Sequence, residues 1–284
     1  MSNINWLASY PKSGNTWVRL FLNHYLYGID DINSPIQASL LDSHPLYYQT
    51  VSPLSLREVD PMSMEMLRYA ALIHLMQSHP SPYRVVKTHN ANAKIHDAHL
   101  IPASLTDSAI YIVRDPRDVA VSLAEHMAVS IDRAIEIMGT DGYAIKQNNH
   151  SPHHWLGSWS THVGSWLRLK ESDVFPVEII RYEDMQNAPI TTFTTIVEAF
   201  GLENDYAKIA ASLEAVSFDR VQRQEQERGF RETQNGTFFS HGEAGGWMTK
   251  LTPEQVDRIE ANHCDMMNRF SYGAGFSYDP SIPF

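Results

Sequence analysis

The turn Tyr10-Pro11-Lys12-Ser13-Gly14-Asn15-Thr16-Trp17 constrains this chain more than any other stretch. It follows an apolar run, Ile4–Tyr10, and leads into Trp17-Val18-Arg19-Leu20-Phe21-Leu22, which reads as an amphipathic helix. Strand, compact turn and helix start, in that order, open an α/β domain. An anion at such a turn meets the N–H groups of the helix start, the Lys12 cation and the hydroxyls of Ser13 and Thr16. Gly14 removes a side chain where the anion would approach the backbone, Asn15 is a residue type that caps helices, and Trp17 offers an aromatic face to a purine. The nucleoside-triphosphate loop needs an early glycine and then Gly-Lys, whereas here the lysine precedes the single glycine. The same residues also suit an ordinary α/β turn with a capping hydroxyl and Trp17 in the core.

Further strands are expected at Arg84–Thr88, Ala109–Val113 and Val177–Ile180, all rich in β-branched residues. Helices are expected at Met64–Ser78, Val119–Ala128 (with Pro116 in its first turn), Trp155–Lys170, Ile190–Phe200, Tyr206–Ala215 and Pro253–Phe270. The alternation predicts an α/β fold with a central, mainly parallel sheet flanked by helices. With 284 residues, 43% of them hydrophobic, the expectation is a single domain over 1–284. Residues Ile29–Pro61 read as irregular, Ser130–His154 as variable, and Val216–Gly246 as a mobile lid or exposed loop.

The charge balance narrows the ligands. Lys and Arg number 22 against 33 Asp and Glu, a net charge of −11, which opposes a surface that tracks nucleic acid. A small anion remains possible where basic residues and backbone amides are concentrated. One cysteine, Cys264, forms no internal disulfide and fits a reducing compartment. There is neither a signal-like start nor an apolar run of about 18 residues, so the expectation is a cytoplasmic protein with no membrane segment. No clustered His, Cys and carboxylate pattern has metal-ligand spacing, and no metal is expected.

Two more strand ends carry chemistry. Lys87-Thr88-His89 ends the second strand, where an imidazole can accept a proton near neutral pH, although a strand-end histidine is more often structural. In Tyr111-Ile112-Val113-Arg114-Asp115-Pro116-Arg117-Asp118-Val119-Ala120-Val121-Ser122, Arg114 can grip a phosphate with two parallel bonds, and Ser122 lies within reach along the helix. The residues alone equally allow Arg114 and Arg117 paired with Asp115 and Asp118. Trp159, His162, Val163 and Trp166 recur at helical spacing and favour a core-facing role.

Together these segments resemble the cytosolic sulfotransferases, with their bacterial relatives, that use 3′-phosphoadenosine-5′-phosphosulfate (PAPS). The first loop is similar to the family's Tyr-Pro-Lys-Ser-Gly-Thr-Thr-Trp and departs only at Asn15. Lys87-Thr88-His89 matches Lys-Thr-His, whose histidine is the family's base. The third loop is similar to the segment whose first Arg and final Ser hold the 3′-phosphate, here Arg114 and Ser122. Arg181-Tyr182-Glu183-Asp184 resembles a segment whose tyrosine approaches the adenine. Ser240-His241-Gly242-Glu243-Ala244-Gly245-Gly246-Trp247 fills the frame of Arg-Lys-Gly-x-x-Gly-x-Trp but lacks its basic pair.

The resemblance implies a P-loop-like sulfotransferase fold and transfer of a sulfuryl group from PAPS to a hydroxyl or amine of a small-molecule acceptor, without metal. It assigns catalysis to His89, Lys12, Lys87 and Ser122, with His89 as general base. It assigns the nucleotide to Lys12, Ser13, Gly14, Asn15, Thr16, Trp17, Arg114, Ser122, Tyr182, Ser240, His241 and Gly242. His241 in place of lysine would make donor affinity pH-sensitive; otherwise Arg223, Arg228 or Arg231 would supply the missing charge. Acceptor-side or lid segments are expected at 28–80, 129–154 and 216–246. Tyr25, Tyr27, Tyr47, Tyr48, Tyr143 and Trp155 would line a pocket if they converge or fill the interior if they do not. The family's dimer signature is poorly matched by Lys250–Ile259, so no oligomeric state follows. A Mg-ATP phosphoryltransferase is the first alternative, disfavoured by the lysine-glycine order. The second is a noncatalytic nucleotide-binding scaffold, which intact Lys12 and His89 argue against.

Overall fold

The computed structural model describes residues 3–52, 54–56, 58–148, 151–233, 236–239 and 242–273. Its strands are β1 (Ile4–Ser9), β2 (Ser39–Leu41), β3 (Val85–Thr88), β4 (Lys94–Ile95), β5 (Ala98–His99), β6 (Thr106–Val113), β7 (Ala144–Ile145), β8 (His154–Trp155) and β9 (Val177–Arg181). The helices are α1 (Asn15–Tyr27), α2 (Pro45–Val51), α3 (Pro61–Ser78), α4 (Pro116–Met127), α5 (Ile131–Met138), α6 (Trp159–Glu171), α7 (Tyr182–Asn187), α8 (Pro189–Ala199), α9 (Tyr206–Ala215), α10 (Phe218–Arg228) and α11 (Pro253–Arg269).

Five strands form a parallel sheet in the order β2-β3-β1-β6-β9. Period-two alternation divides its residues between two cores. Trp6, Ala8, Val86 and Tyr111 face one side with Trp159, Val163 and Trp166 of α6. Leu7, Val85, Ile110 and Ile112 face the other, with Phe21 of α1 and Phe193 of α8. Both faces are covered, which is why these strands read as continuous apolar runs. From β1 the chain runs to one side of the sheet and then returns to the other at β6, so β1 is the switch point. Loops leaving the carboxyl ends of β1, β3, β6 and β9 therefore gather at one edge, where open α/β sheets bind ligands.

Several expectations need correction. The Ile29–Pro61 stretch is not irregular throughout, since it holds β2 and α2. A three-residue edge strand is too short to show a period. Ser130–His154 contains α5 and, at its end, a small antiparallel pair, β7 with β8. The helix expected from Trp155 begins only at Trp159, because Gly157 turns the chain at a φ of 68° and the Ser158 hydroxyl caps Thr161 N–H. The 216–246 stretch is not simply a loop. Phe218–Arg228 is a helix whose Val221 and Glu225 are buried. Its pattern misleads because Glu225, which looks like a solvent residue, accepts the N–H groups of Phe238 (2.6 Å) and Phe239 (2.8 Å) and pins the following segment.

Candidate active site

The first loop turns in two steps, with Lys12 at φ 67° and Gly14 at φ 101°. Gly14, not Asn15, is the N-cap of α1, and no side chain caps that helix. Trp17 N–H turns back to the Gly14 carbonyl (3.0 Å), and the earlier amides of the first turn, with the dipole, are left to whatever occupies the loop. Asn15 instead reaches back to β1, donating to the Leu7 carbonyl (3.1 Å) and to Ser9 Oγ (3.4 Å). A Cβ at Gly14 would stand 2.5 Å from Tyr182 Cδ2, so position 14 must be glycine for steric as well as torsional reasons. Gly14→Ala is expected to lower the unfolding free energy by about 1–3 kcal/mol, the cost of left-handed strain plus a displaced ring. Unchanged urea denaturation midpoints would show that the ring packing is not obligatory.

β3 delivers the second group. His89 Nδ1 lies 2.8 Å from the Ser9 carbonyl, which can only accept, so Nδ1 carries the hydrogen and Nε2 keeps its lone pair. Burial, then the Lys87 charge, push this imidazole well below 6.5, with the Ser9 bond opposing them. It is neutral at pH 7. Its neighbours are fixed from outside: His162 Nε2 bonds the His89 carbonyl (3.1 Å) while its Nδ1 meets Tyr111 OH (2.8 Å). Trp166 Nε1 donates to the Asn90 carbonyl (3.2 Å). Beneath them, buried Asp42 accepts from Arg68 (2.7 Å), Thr88 (2.7 Å) and Asn90 (3.2 Å). Burial raises the Asp42 carboxyl, but Arg68, His154 and the hydrogen bonds outweigh it and hold it below the ordinary value.

The third loop places Arg114 beside the first. Its guanidinium sits 4.2 Å from the Tyr182 ring, bonds the Lys12 carbonyl (3.2 Å) and the Glu243 carbonyl (3.4 Å), and leaves buried Nε without a partner among the described residues. Arg117 does pair with Asp115 (2.7 Å), whereas Asp118 accepts the N–H groups of Gly245 (2.8 Å) and Trp247 (2.9 Å). Tyr182 OH donates to the Gly242 carbonyl at 2.5 Å, joined there by the Gln186 amide. The hydroxyl of Tyr182 therefore anchors the C-terminal loop, and only its ring faces the site.

These elements enclose a cavity of 610 Å³ bordered by Lys12, Gly14, Asn15, Thr16, Trp17, Lys87, His89, Arg114, Ser122, Tyr182 and Gly242. A second cavity of 430 Å³ shares Arg114, Ser122, Phe218 and Gly242 with it. Burial first, then Arg114 and Lys87, bring Lys12 down to about 8, with its ammonium 3.9 Å above the Phe238 ring. Burial and Arg19 likewise bring Lys87 down to about 8. Preorganised cations and amides around one cavity, with a neutral imidazole on its wall, suit transfer between an anionic donor and a weakly acidic acceptor.

Not every expected residue is there. Ser13 is fully buried, borders neither cavity, and its hydroxyl has no partner among the described residues. Ser240 and His241, with the pH dependence expected of the latter, lie outside the described residues. Trp17 borders the cavity but also packs on Phe193 at 5.3 Å. Tyr25, Tyr27, Tyr47, Tyr48, Tyr143 and Trp155 border neither cavity, and Tyr25, Tyr47 and Tyr48 belong to the core. Asp42, Arg68 and Gln186 had no motif to reveal them. Asp118 lies in the third loop, where its charge reads as an ion-pair partner of a neighbouring arginine.

Residues 4–270 match the sulfotransferase domain family. The chain belongs to that family. Curated relatives include Sulfotransferase 1A1 of Canis lupus familiaris, 24% identical over 96% of this chain and 84% of its own length. Cytosolic sulfotransferase 16 of Arabidopsis thaliana is also 24% identical, over 89% of this chain and 73% of the relative. Among solved structures, a retinol dehydratase in complex with retinol and PAP superposes with a TM-score of 0.66 at 18% identity, over 98% of this chain and 84% of that one. The fold is therefore the one these sulfotransferases share. Among the described residues of this sulfotransferase, no helix is long and apolar enough to cross a membrane, and no group of three or more His, Cys, Asp or Glu could hold a metal ion.

Proposed function

We propose that this sulfotransferase transfers the sulfuryl group of PAPS to a hydroxyl or amine of a small molecule and releases 3′-phosphoadenosine-5′-phosphate (PAP). One observation carries the reading: the loops after β1, β3 and β6 bring Lys12, His89, Arg114 and Ser122 to the wall of one cavity. The orphaned Arg114 Nε and the uncapped start of α1 fit an anionic nucleotide, which supplies the partners they lack. Arg114 and Ser122 would hold the 3′-phosphate, while Thr16, Lys12 and the α1 amides would hold the 5′ end. The acceptor oxygen or nitrogen attacks sulfur, the bond from sulfur to the 5′-phosphate oxygen breaks, and that oxygen keeps the electron pair. His89 Nε2 takes the acceptor proton; burial, and after it the Lys87 charge, keep the imidazole neutral beforehand.

The acceptor end is bordered by Met127, Ile145, Asn148, Ser151, His126 and His154. Burial chiefly holds both histidines at about 4, so they are neutral hydrogen-bonding groups at pH 7. A small, uncharged molecule with one apolar flank matches such walls, as do the retinol and androsterone bound in retinol dehydratase complexes. A cytoplasmic setting accords with the relatives named cytosolic, and the unit proposed is one domain over 1–284, with 28–80, 129–154 and 216–246 on the acceptor or lid side.

The test is turnover of PAPS with a panel of alcohols, phenols and amines, following PAP and sulfated product together. Stoichiometric release is expected, without added metal. Turnover of Mg-ATP in its place would establish the phosphoryltransferase reading. The pH profile adds a sign: kcat/KM should hold from below pH 6.5, where His89 is still neutral, up to about 8. It should fall above that as Lys12 loses its proton. A profile still rising through pH 9 would contradict the role of Lys12.

A further inference from the structure

We propose that Lys250 supplies the second fixed cation for the 3′-phosphate, from the border of the cavity that it shares with Arg114. The assignment rests on the reading of the donor as PAPS. Ser240 and His241 stand where the resembled family carries a basic pair, and neither residue type is a permanent cation. Arg114, Ser122, Thr249 and Lys250 all border the 430 Å³ cavity. Its remaining charged borders, Asp118, Glu125 and Glu243, are acidic. A phosphate dianion entering there meets repulsion that a lone arginine offsets only in part.

The segment bearing Lys250 is held rather than loose. Asp118 accepts the N–H groups of Gly245 (2.8 Å) and Trp247 (2.9 Å), and the Trp247 ring lies 4.0 Å from the Arg117 guanidinium. Lys250 N–H closes the short turn on the Trp247 carbonyl (3.0 Å). The turn is thus fastened to α4, the helix that also carries Ser122, and the exposed lysine stands at the cavity rim. The other basic candidates are elsewhere. Arg228 pairs with Asp31 (3.5 Å), Arg231 borders the larger cavity beside Glu232, and Arg223 borders neither.

Calorimetric titration of PAP and of adenosine 5′-phosphate into the parent protein, K250Q, K250R and R231Q tests this at fixed pH and ionic strength. K250Q is expected to weaken PAP by about tenfold or more, the scale of one charge-assisted contact, and to leave adenosine 5′-phosphate unchanged. K250R should keep most of the preference, and R231Q all of it. A K250Q protein with the parent's full preference for PAP overturns the assignment of Lys250 while leaving the donor reading intact. Equal parental affinity for the two nucleotides sinks the donor reading itself, and Lys250 with it.

Discussion

His89→Ala is expected to reduce kcat by about 10²–10⁴, the usual contribution of a positioned base. PAP affinity should stay within about threefold, because proton removal is a transition-state role and the nucleotide anchors lie elsewhere. The imidazole also ties the loop to β1 through the Ser9 carbonyl (2.8 Å), so a folding defect must be separated from a chemical one. His89→Asn places a side-chain N–H at the level of Nδ1 for that carbonyl and should restore thermal stability without restoring turnover. Turnover within about threefold of the parent in either variant would remove His89 from the mechanism. The acid limb gives a second readout. Burial and Lys87 keep the imidazole unprotonated well below pH 6.5, and Lys87→Met removes one of those causes. That substitution should move the acid limb upward.

Lys12→Gln is expected to cost about 10²–10³ in kcat/KM, the scale of losing one preorganised donor to a departing oxyanion. Position 12 keeps its φ of 67° with either non-glycine residue, so backbone strain nearly cancels between parent and variant. The loss should therefore be electrostatic. Lys12→Arg supplies a cation that does not titrate in the working range. It should recover part of the rate and weaken the fall above about pH 8 that loss of the Lys12 proton sets. An unaltered profile in Lys12→Arg, with full activity, would mean that the charge at position 12 is not what holds the leaving group.

Much of the site was legible because its pieces are local. Tyr10–Trp17, Lys87–His89 and Arg114–Ser122 each combine a buried strand, a turn and a helix or strand end within a few residues, and an apolar run followed by turn chemistry is written in consecutive side chains. The helix over Tyr206–Ala215 was legible for the same reason. Where a polar residue is buried by a distant partner, the pattern misled. Glu225 on α10 reads as solvent-facing until the amides of Phe238 and Phe239 are seen on it. The aromatic residues allowed either a pocket or an interior, and three of the tyrosines belong to the core, since apolar composition does not distinguish a lining from an interior.

The sequence by itself determined the parallel sheet's central strands, the oxyanion-sized first loop, and the residue types at three strand ends, all through short-range pattern. Only the tertiary structure decided what those ends do for one another. The strand order sets β1 between β3 and β6, which brings the Ser9 carbonyl to His89 and the Lys12 carbonyl to Arg114. It also decided that Asp42 and Arg68 brace the end of β3, that Asp118 latches the loop of Gly245 and Trp247, and that Lys250 comes to border one cavity with Arg114. These contacts join residues far apart in the chain, and no local period encodes which distant carboxylate will be buried beside which arginine. That choice is made when the sheet order closes and each buried charge must find its partner.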